Sequence, residues 1–263
     1  MKWLRTLGRG LKWIWYPARR GGRTLKVFRT PRSAIYKSVA KLGSNEPVGL
    51  THRRGVMYHE VPFRGLRLEY SRTDMRQRVQ LLSRELSLDG SHGLDLGCAV
   101  GGLTFSLQKR GASMVGVERD GPSYEVAMAL ENKYRTGAGF IHSDIVGYVS
   151  RTSEQIRSGL LTRFDFVLLF SAFNWVVEGM SLDELEKFLG ELGELSNLLV
   201  MDSAVGGKGQ PNLTRIGVET EADFEALLLR GAGKSNVRKI GTYDHWYGRG
   251  IFLFETKGST CPA

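Results

Sequence analysis

Cysteine is nearly absent from this sequence. Only Cys98 and Cys261 occur in 263 residues, too few for a disulfide framework. No run reaches the roughly 18 apolar residues that a membrane-spanning helix needs. Low-complexity and wholly disordered chains are excluded by an ordinary balance of 41% hydrophobic and 24% charged residues. The most informative absence is of negative charge at the start. Residues 1–43 contain no Asp or Glu but hold 12 of the 37 Lys and Arg, leaving 25 basic against 27 acidic residues in the remainder. The net charge of +10 thus describes a basic arm on a nearly neutral body, which argues against a nucleic-acid-binding surface spread over the whole protein.

Within the arm, Trp3, Leu4, Leu7, Leu11, Ile14 and Trp15 recur at helical intervals. At about 100° per residue they fall in a stripe roughly 120° wide, with Lys2, Arg5, Arg9 and Lys12 opposite. The spacing predicts a helix over 2–15, although Gly8 and Gly10 each weaken it by about 1 kcal/mol and Pro17 ends it. Arg9 and Lys12 interrupt the apolar residues, so a signal peptide fits poorly. Three readings remain: residues 2–16 on an anionic membrane surface, an arm tracking nucleic-acid phosphates, or an arm packed on the body. The helical periodicity favours the first. Ser33 to Leu42 shows helical spacing again, at Ile35, Tyr36, Val39 and Leu42. The chain divides into a basic arm (1–45), a connecting or lid segment (46–73), a domain (74–257) and a short tail (258–263).

From residue 74 helices alternate with short apolar runs. Asp74–Leu88, Leu103–Arg110, Ser123–Tyr134, the stretch through Leu182–Leu195 and Phe224–Leu229 read as helices. Strands are expected at 93–96, Ser113–Glu118, Gly139–Asp144, Phe164–Phe170, Asn197–Asp202, Val237–Tyr243 and Gly250–Glu255. This alternation implies an α/β, Rossmann-like seven-stranded sheet, mostly parallel, with helices on both faces. The last two strands are too close in sequence for a parallel crossover, so they form an antiparallel terminal hairpin.

The chemistry lies at the ends of the first three of these strands. Gly97 and Gly101 let the backbone bend sharply and let a ligand approach, and the helix that follows aims its N-terminus at that ligand. Glu118 lies 23 residues after Asp95, near the spacing at which a strand-end acid accepts ribose hydroxyls. Asp144 is placed to accept an adenine amino group. Each feature also has a plain structural alternative: an ordinary turn, a solvated acid, a helix cap. Their joint order and spacing favour a nucleotide site.

Leu94-Asp95-Leu96-Gly97-Cys98-Ala99-Val100-Gly101-Gly102 resembles the first motif of the class I methyltransferases that use S-adenosylmethionine. Val115–Glu118 is similar to their ribose-binding strand, His142-Ser143-Asp144-Ile145 to their adenine-contacting motif, Phe164–Ser171 to their fourth strand, and Val237–Glu255 to their terminal hairpin. The resemblance spans about residues 75–256. Ala99 stands where many members carry glycine. The resemblance implies S-adenosylmethionine as cofactor, held by Asp95, Gly97, Cys98, Ala99, Gly101, Glu118, Asp144, Ile145 and Phe170. It also implies in-line attack on the sulfonium methyl, for which alignment and exclusion of water are the protein's main tasks.

The acceptor is not identified by sequence; a small molecule, lipid or glycan is favoured. Ser171-Ala172-Phe173-Asn174-Trp175 lacks the Asn-Pro-Pro-Tyr type of motif found in enzymes that methylate nucleobase or glutamine amino groups. His59, Asn174 and Asp202 are the catalytic candidates, with Tyr58, Arg72, Trp175 and His245 also on the acceptor side. The histidines show no ligand spacing with the cysteines, so no metal site is expected. Cys98 reads as a small apolar filler and suits a reducing, cytoplasmic compartment, with the arm at a membrane periphery. The competing readings are an RNA methyltransferase using the arm, a dinucleotide oxidoreductase, and a non-catalytic adaptor that keeps the fold. Gly97-x-Ala99-x-x-Gly102 matches the oxidoreductase fingerprint only loosely, and Asp95 with the terminal hairpin favours the methyltransferase.

Overall fold

The computed structural model describes residues 12–16, 25–29, 56–64, 69–72, 74–203, 205, 211–243 and 249–256. In the arm, β1 (Lys12–Tyr16) pairs antiparallel with β2 (Leu25–Arg29), setting Trp13 opposite Phe28 and Trp15 opposite Lys26. The helix expected over 2–15 therefore does not extend through 12–16. Aromatic and β-branched residues dominate Trp13-Ile14-Trp15-Tyr16, and they favour extended backbone. The rest of that expected helix, and the one expected over 33–42, lie outside the described residues. Within the connecting segment β3 (Val56–His59) and β4 (Glu69–Arg72) pair in parallel.

The body then runs α1 (Met75–Glu85), β5 (His92–Leu96), α2 (Gly102–Gln108), β6 (Ser113–Glu118), α3 (Gly121–Tyr134), β7 (Gly139–His142), α4 (Ile145–Arg157) and β8 (Phe164–Leu169). It continues through α5 (Phe173–Val176), α6 (Leu182–Glu194), β9 (Ser196–Asp202), α7 (Pro211–Arg215), α8 (Glu221–Gly231), β10 (Asn236–Tyr243) and β11 (Arg249–Glu255). The strands from β5 onward form one seven-stranded sheet in the order β10-β11-β9-β8-β5-β6-β7. Pairs among β5 to β9 are parallel, while β11 is antiparallel to both β9 and β10. The expected antiparallel hairpin is thus present, and β11, inserted between its partners, is the strand that runs against the rest.

Side-chain alternation along the strands explains the layers. Leu94 and Leu96, Val167 and Leu169, Leu199 and Met201, and Phe252 and Phe254 face one side. There they meet Val149 of α4, Phe188 and Leu192 of α6, and Phe224 and Leu228 of α8. Phe166, Leu168, Val200, Ile251 and Leu253 face the other side, against Met75, Val79 and Leu82 of α1 and Leu103 and Leu107 of α2. Strands buried on both faces read as near-continuous apolar runs, as β8 does. Helix α4 was not expected from the sequence. Its signal is Ile145, Val149, Thr152 and Ile156, a helical spacing behind the capping residue Asp144, whose carboxylate accepts the Gly147 N–H at 2.7 Å.

The chain steps from β5 through β6 to β7, then crosses to β8 on the far side of β5. The order reverses there, and open α/β sheets bind ligands outside the strand ends at such a reversal.

One contact sets how closely two helices approach. A methyl group on Gly193 of α6 would lie 2.0 Å from the carbonyl oxygen of Ala232 at the end of α8. Alanine favours an isolated helix by about 1 kcal/mol, yet backbone cannot give way cheaply. Gly193→Ala should lower stability by roughly 1–3 kcal/mol, read as a depressed melting temperature; an unchanged or raised value would show that α6 and α8 are not in close contact.

Candidate functional site

The site begins where β5 ends. Gly97 has φ +75°, and its N–H and that of Cys98 both donate to the carbonyl of Val117 in β6, at 2.8 and 3.0 Å. Gly101, at φ +82°, closes the turn by donating to the Cys98 carbonyl at 2.9 Å and leads into α2. A side chain there would lie 2.8 Å from Phe105 and 2.9 Å from Phe140, so the position needs glycine for space as well as for backbone conformation. Ala99 adopts φ +50°, a left-handed conformation that costs an alanine about 1–2 kcal/mol. Its N–H donates to Glu118 Oε2 at 2.8 Å, while the Asp120 N–H donates to Oε1 at 2.7 Å. Glu118 is therefore oriented by two backbone donors, with further acceptor capacity on each oxygen. Burial raises its pKa, against the pull of those two bonds.

Asp95 is buried near the end of β5 and accepts the Thr104 hydroxyl of α2 at 2.7 Å. Burial pushes its pKa up to about 6, although the Thr104 hydrogen bonds oppose the shift. Cys98 is buried with its Sγ 2.7 Å from where a Gly116 methyl would stand, and burial raises its thiol pKa well above the ordinary value. It fills space beside a glycine that makes room for it.

The structure brings most of the sequence-derived candidates together. Gly97 faces Ala172 and Ile145: a methyl on it would lie 3.0 Å from the Ala172 Cβ and 3.5 Å from the Ile145 Cδ1. His59 and Glu60 close in from the connecting segment, since a methyl on Gly102 would meet the Glu60 carbonyl oxygen at 2.7 Å and the His59 Cβ at 3.4 Å. Asp144 is exposed at the end of β7 and caps α4. Phe170 is placed differently, in the layer beneath α1, with the Arg78 guanidinium 5.5 Å from its ring centre. Asn174 is buried in α5, and its Oδ1 has no hydrogen-bond partner among the described residues. Trp175 is exposed. Tyr58 and Arg72 are placed by backbone only, on β3 and β4; His245 lies outside the described residues.

Asp202, at the end of β9, is 1% exposed and heavily engaged. Its Oδ1 accepts the Ser171 N–H at 2.6 Å. Its Oδ2 accepts from the Ser171 hydroxyl at 3.1 Å, from Arg249 Nη1 at 3.1 Å, and from the Tyr243 hydroxyl. Burial favours its neutral form, but Arg249, Arg78 and these hydrogen bonds outweigh that and hold its pKa below the usual carboxylate range. Burial, reinforced by the adjacent carboxylate, pushes the Tyr243 hydroxyl up to about 12. Asp202 is thus a tie between strand ends, with three hydrogen bonds on Oδ2 and one on Oδ1. Sequence reasoning missed Ser171, Arg78, Tyr243 and Arg249. Arg78 alone left a signal, as a charged residue on the apolar stripe of α1.

The strand order, the reversal between β5 and β8 and the turn after β5 together define the class: this is the fold of the class I methyltransferases. No family model matches the sequence. Over 138 residues it is 27% identical to the Escherichia coli O-antigen chain terminator WbdD, a bifunctional methyltransferase/kinase. That match covers 50% of this chain and 19% of WbdD, so the chain spans about a fifth of the relative's length. Among solved structures, WbdD with the kinase inhibitor LY294002 superposes with a TM-score of 0.56 at 21% identity, covering 70% of this chain and 41% of WbdD. The magnesium protoporphyrin IX methyltransferase ChlM of Synechocystis PCC 6803, with bound S-adenosylhomocysteine, gives 0.50 at 20% identity, covering 69% of this chain and 82% of ChlM.

Asp95 makes the site's pH dependence testable. Its folded-state carboxyl keeps a proton between pH 3.8 and about 6 that the unfolded chain releases. Its contribution to stability is therefore complete below about pH 4 and lost as pH rises to about 6, a change of roughly 3 kcal/mol. Asparagine can still accept the Thr104 hydroxyl and carries no charge. Asp95→Asn should melt several degrees above wild type at pH 7.5 and close to it at pH 4, in ligand-free protein. Equal or lower melting temperatures at both pH values would contradict the assigned burial cost.

Proposed function

We propose that this protein transfers the methyl group of S-adenosylmethionine to an acceptor. The observation that carries the reading is Glu118, a half-buried carboxylate fixed by the Ala99 and Asp120 N–H groups beside a glycine turn at the reversal of strand order. Its remaining lone pairs suit two ribose hydroxyls. Asp144 would accept from the adenine amino group with the carboxylate oxygen not used in capping α4. Gly97 and Gly101 give the ligand backbone rather than side chain to rest on. Asp95 and Glu118 place two acids where a cationic sulfonium compound adds favourable charge. His59 and Ile145, both buried, would help to keep water from the reacting region. When bound, the cofactor supplies an already activated methyl group, so the chain's task is to hold and align. Asp202 serves by fixing the turn at Ser171.

Among acceptors a small molecule, lipid or glycan is favoured. A glycan comes first, because the matching segment of WbdD belongs to an O-antigen chain terminator. Calorimetry should show S-adenosylmethionine binding to the wild type, and Glu118→Ala should weaken it about 10–100-fold, the loss expected from hydrogen bonds to a charged group. Binding of NADH without S-adenosylmethionine would overturn the reading. Incubation with methyl-labelled cofactor and fractionated extract would then identify the acceptor pool; label entering RNA would replace the glycan assignment.

The arm is proposed to hold the protein at an anionic membrane surface. Its support is compositional: 12 basic and no acidic residues over 1–43, with interleaved tryptophans that suit the headgroup region. No described helix is long and apolar enough to cross a membrane. Deleting residues 2–16 should abolish sedimentation with phosphatidylglycerol vesicles in low salt; retention by the truncated protein would refute the anchor.

A further inference from the structure

Helix α5 carries two side chains that packing alone does not account for. Asn174 is 7% exposed, and its Oδ1 has no hydrogen-bond partner among the described residues. A buried oxygen left in that state costs about 1–3 kcal/mol, so its presence calls for a reason. Trp175, the next residue, is 47% exposed.

The helix itself is firmly held. Phe173 and Val177 anchor it in the core. Helix α7 grips its backbone from the other side. Asn212 Nδ2 donates to the Asn174 carbonyl at 3.1 Å, and Arg215 donates through Nη1 and Nη2 to the carbonyls of Met180 and Val177, each at 2.8 Å. The Asn212 amide therefore reaches residue 174 and spends its donor on the main chain, which leaves Asn174 Oδ1 as a fixed acceptor with nothing to accept.

The place of α5 indicates what it meets. Asp144 follows β7, Glu118 ends β6 and the glycine turn follows β5; β8 is the next strand across, and α5 follows it. Ala172, which precedes α5, stands against the glycine turn, since a methyl on Gly97 would lie 3.0 Å from its Cβ. A cofactor with adenine, ribose and sulfur over β7, β6 and β5 in turn brings its methyl group to this side, and α5 borders the space from which an acceptor approaches. Successive helical residues point about 100° apart, so Asn174 and Trp175 can hold two sides of one ligand. One offers a hydrogen-bond acceptor and the other a flat apolar ring. A sugar ring has the matching pair of surfaces, hydroxyls on its rim and C–H groups on its face. Tryptophan supplies such a platform at little cost in conformational entropy.

We infer that Asn174 and Trp175 form the subsite for the methyl acceptor, a sugar ring whose hydroxyl donates to Asn174 Oδ1 while its C–H face lies on the Trp175 indole. The inference rests on the proposed methyl transfer from S-adenosylmethionine.

The test titrates the carbohydrate fraction of a cell extract against enzyme and methyl-labelled S-adenosylmethionine, with cofactor affinity followed by calorimetry. The amount of that fraction giving half-maximal labelling should rise at least about 10-fold in Trp175→Ala and in Asn174→Leu, but no more than about 3-fold in Trp175→Phe, which keeps a flat ring. Affinity for S-adenosylmethionine should stay within about 2-fold of wild type in all three. Asn174→Leu should melt no lower than wild type, because it removes the unpaired oxygen; Trp175→Ala, at an exposed position, carries the test if the leucine variant does not fold. Unchanged labelling in either Trp175→Ala or Asn174→Leu, or label that enters only RNA, protein or sugar-free lipid, would overturn the inference and leave the cofactor reading intact. Wild type that binds no S-adenosylmethionine would overturn both.

Discussion

The hydrogen bond from the Ala99 N–H to the Glu118 carboxylate couples two strand ends that the sheet alone leaves unconnected. Pairing between β5 and β6 stops at Leu96 and Val117. Beyond that point the Val117 carbonyl takes two N–H groups from the turn, and Glu118 takes a third. Those donors hold residues 97–101 in a turn that keeps an alanine at positive φ. The strain at Ala99 and the orientation of Glu118 are consequences of the same bond. A carboxylate free to rotate would lose entropy on meeting a ligand; this one has already lost it on folding.

The same region concentrates unfavourable electrostatics. Asp95, Glu118 and Cys98 lie close together, and burial raises the pKa of each. The two acids also raise the Cys98 pKa, which keeps the thiol neutral and unreactive. Such an arrangement lowers the stability of the empty protein and favours any ligand that brings positive charge without bulk. Under the proposed function, that cost favours a sulfonium compound over a neutral or anionic nucleotide. The pKa of about 6 for Asp95 also links binding to proton release, because a nearby cation favours the ionised carboxylate.

The sheet was legible from sequence because its strands are short apolar runs that end in acids or glycines, and the terminal hairpin followed from the brevity of its connection. The cofactor side was legible for a related reason, since Gly97, Gly101, Glu118 and Asp144 are residue types whose backbone or charge needs a purpose. Three features were not legible. Helix α4 was overlooked because its first residues were read as the tail of a motif, although Ile145 and Val149 share its buried face. The arm departs from the helical reading over 12–16, where Trp13, Ile14, Trp15 and Tyr16 form a continuous run of aromatic and β-branched residues; that content, rather than the helical spacing of Ile14 and Trp15, decides the backbone. Ser171, Tyr243 and Arg249 converge on Asp202 from three elements, and no local pattern announces a cluster assembled by the fold.

That cluster explains how the buried Arg78 and the partly buried Arg249 are accommodated at one end of the sheet. Arg249 and Arg78 both act on Asp202, but they do so differently. Arg249 donates directly to the carboxylate and to the Ser171 hydroxyl, at 3.1 and 3.2 Å. Arg78 is paired with Asp74 and reaches Asp202 only through space, with the Tyr243 ring as its platform. Tyr243 joins the two, since its hydroxyl bonds Asp202 while its face carries Arg78. The positive φ of Ser171 is held by Asp202 just as Ala99 is held by Glu118. The turns on either side of the β5–β8 reversal are thus each locked by an acid from the next strand outward, Glu118 from β6 and Asp202 from β9. Both turns that wall the crevice are tied down, while the connecting segment is anchored over α2 and α3, by His59 and Glu60 near Gly102 and by Phe63 edge-on to Phe105 and stacked on Tyr134.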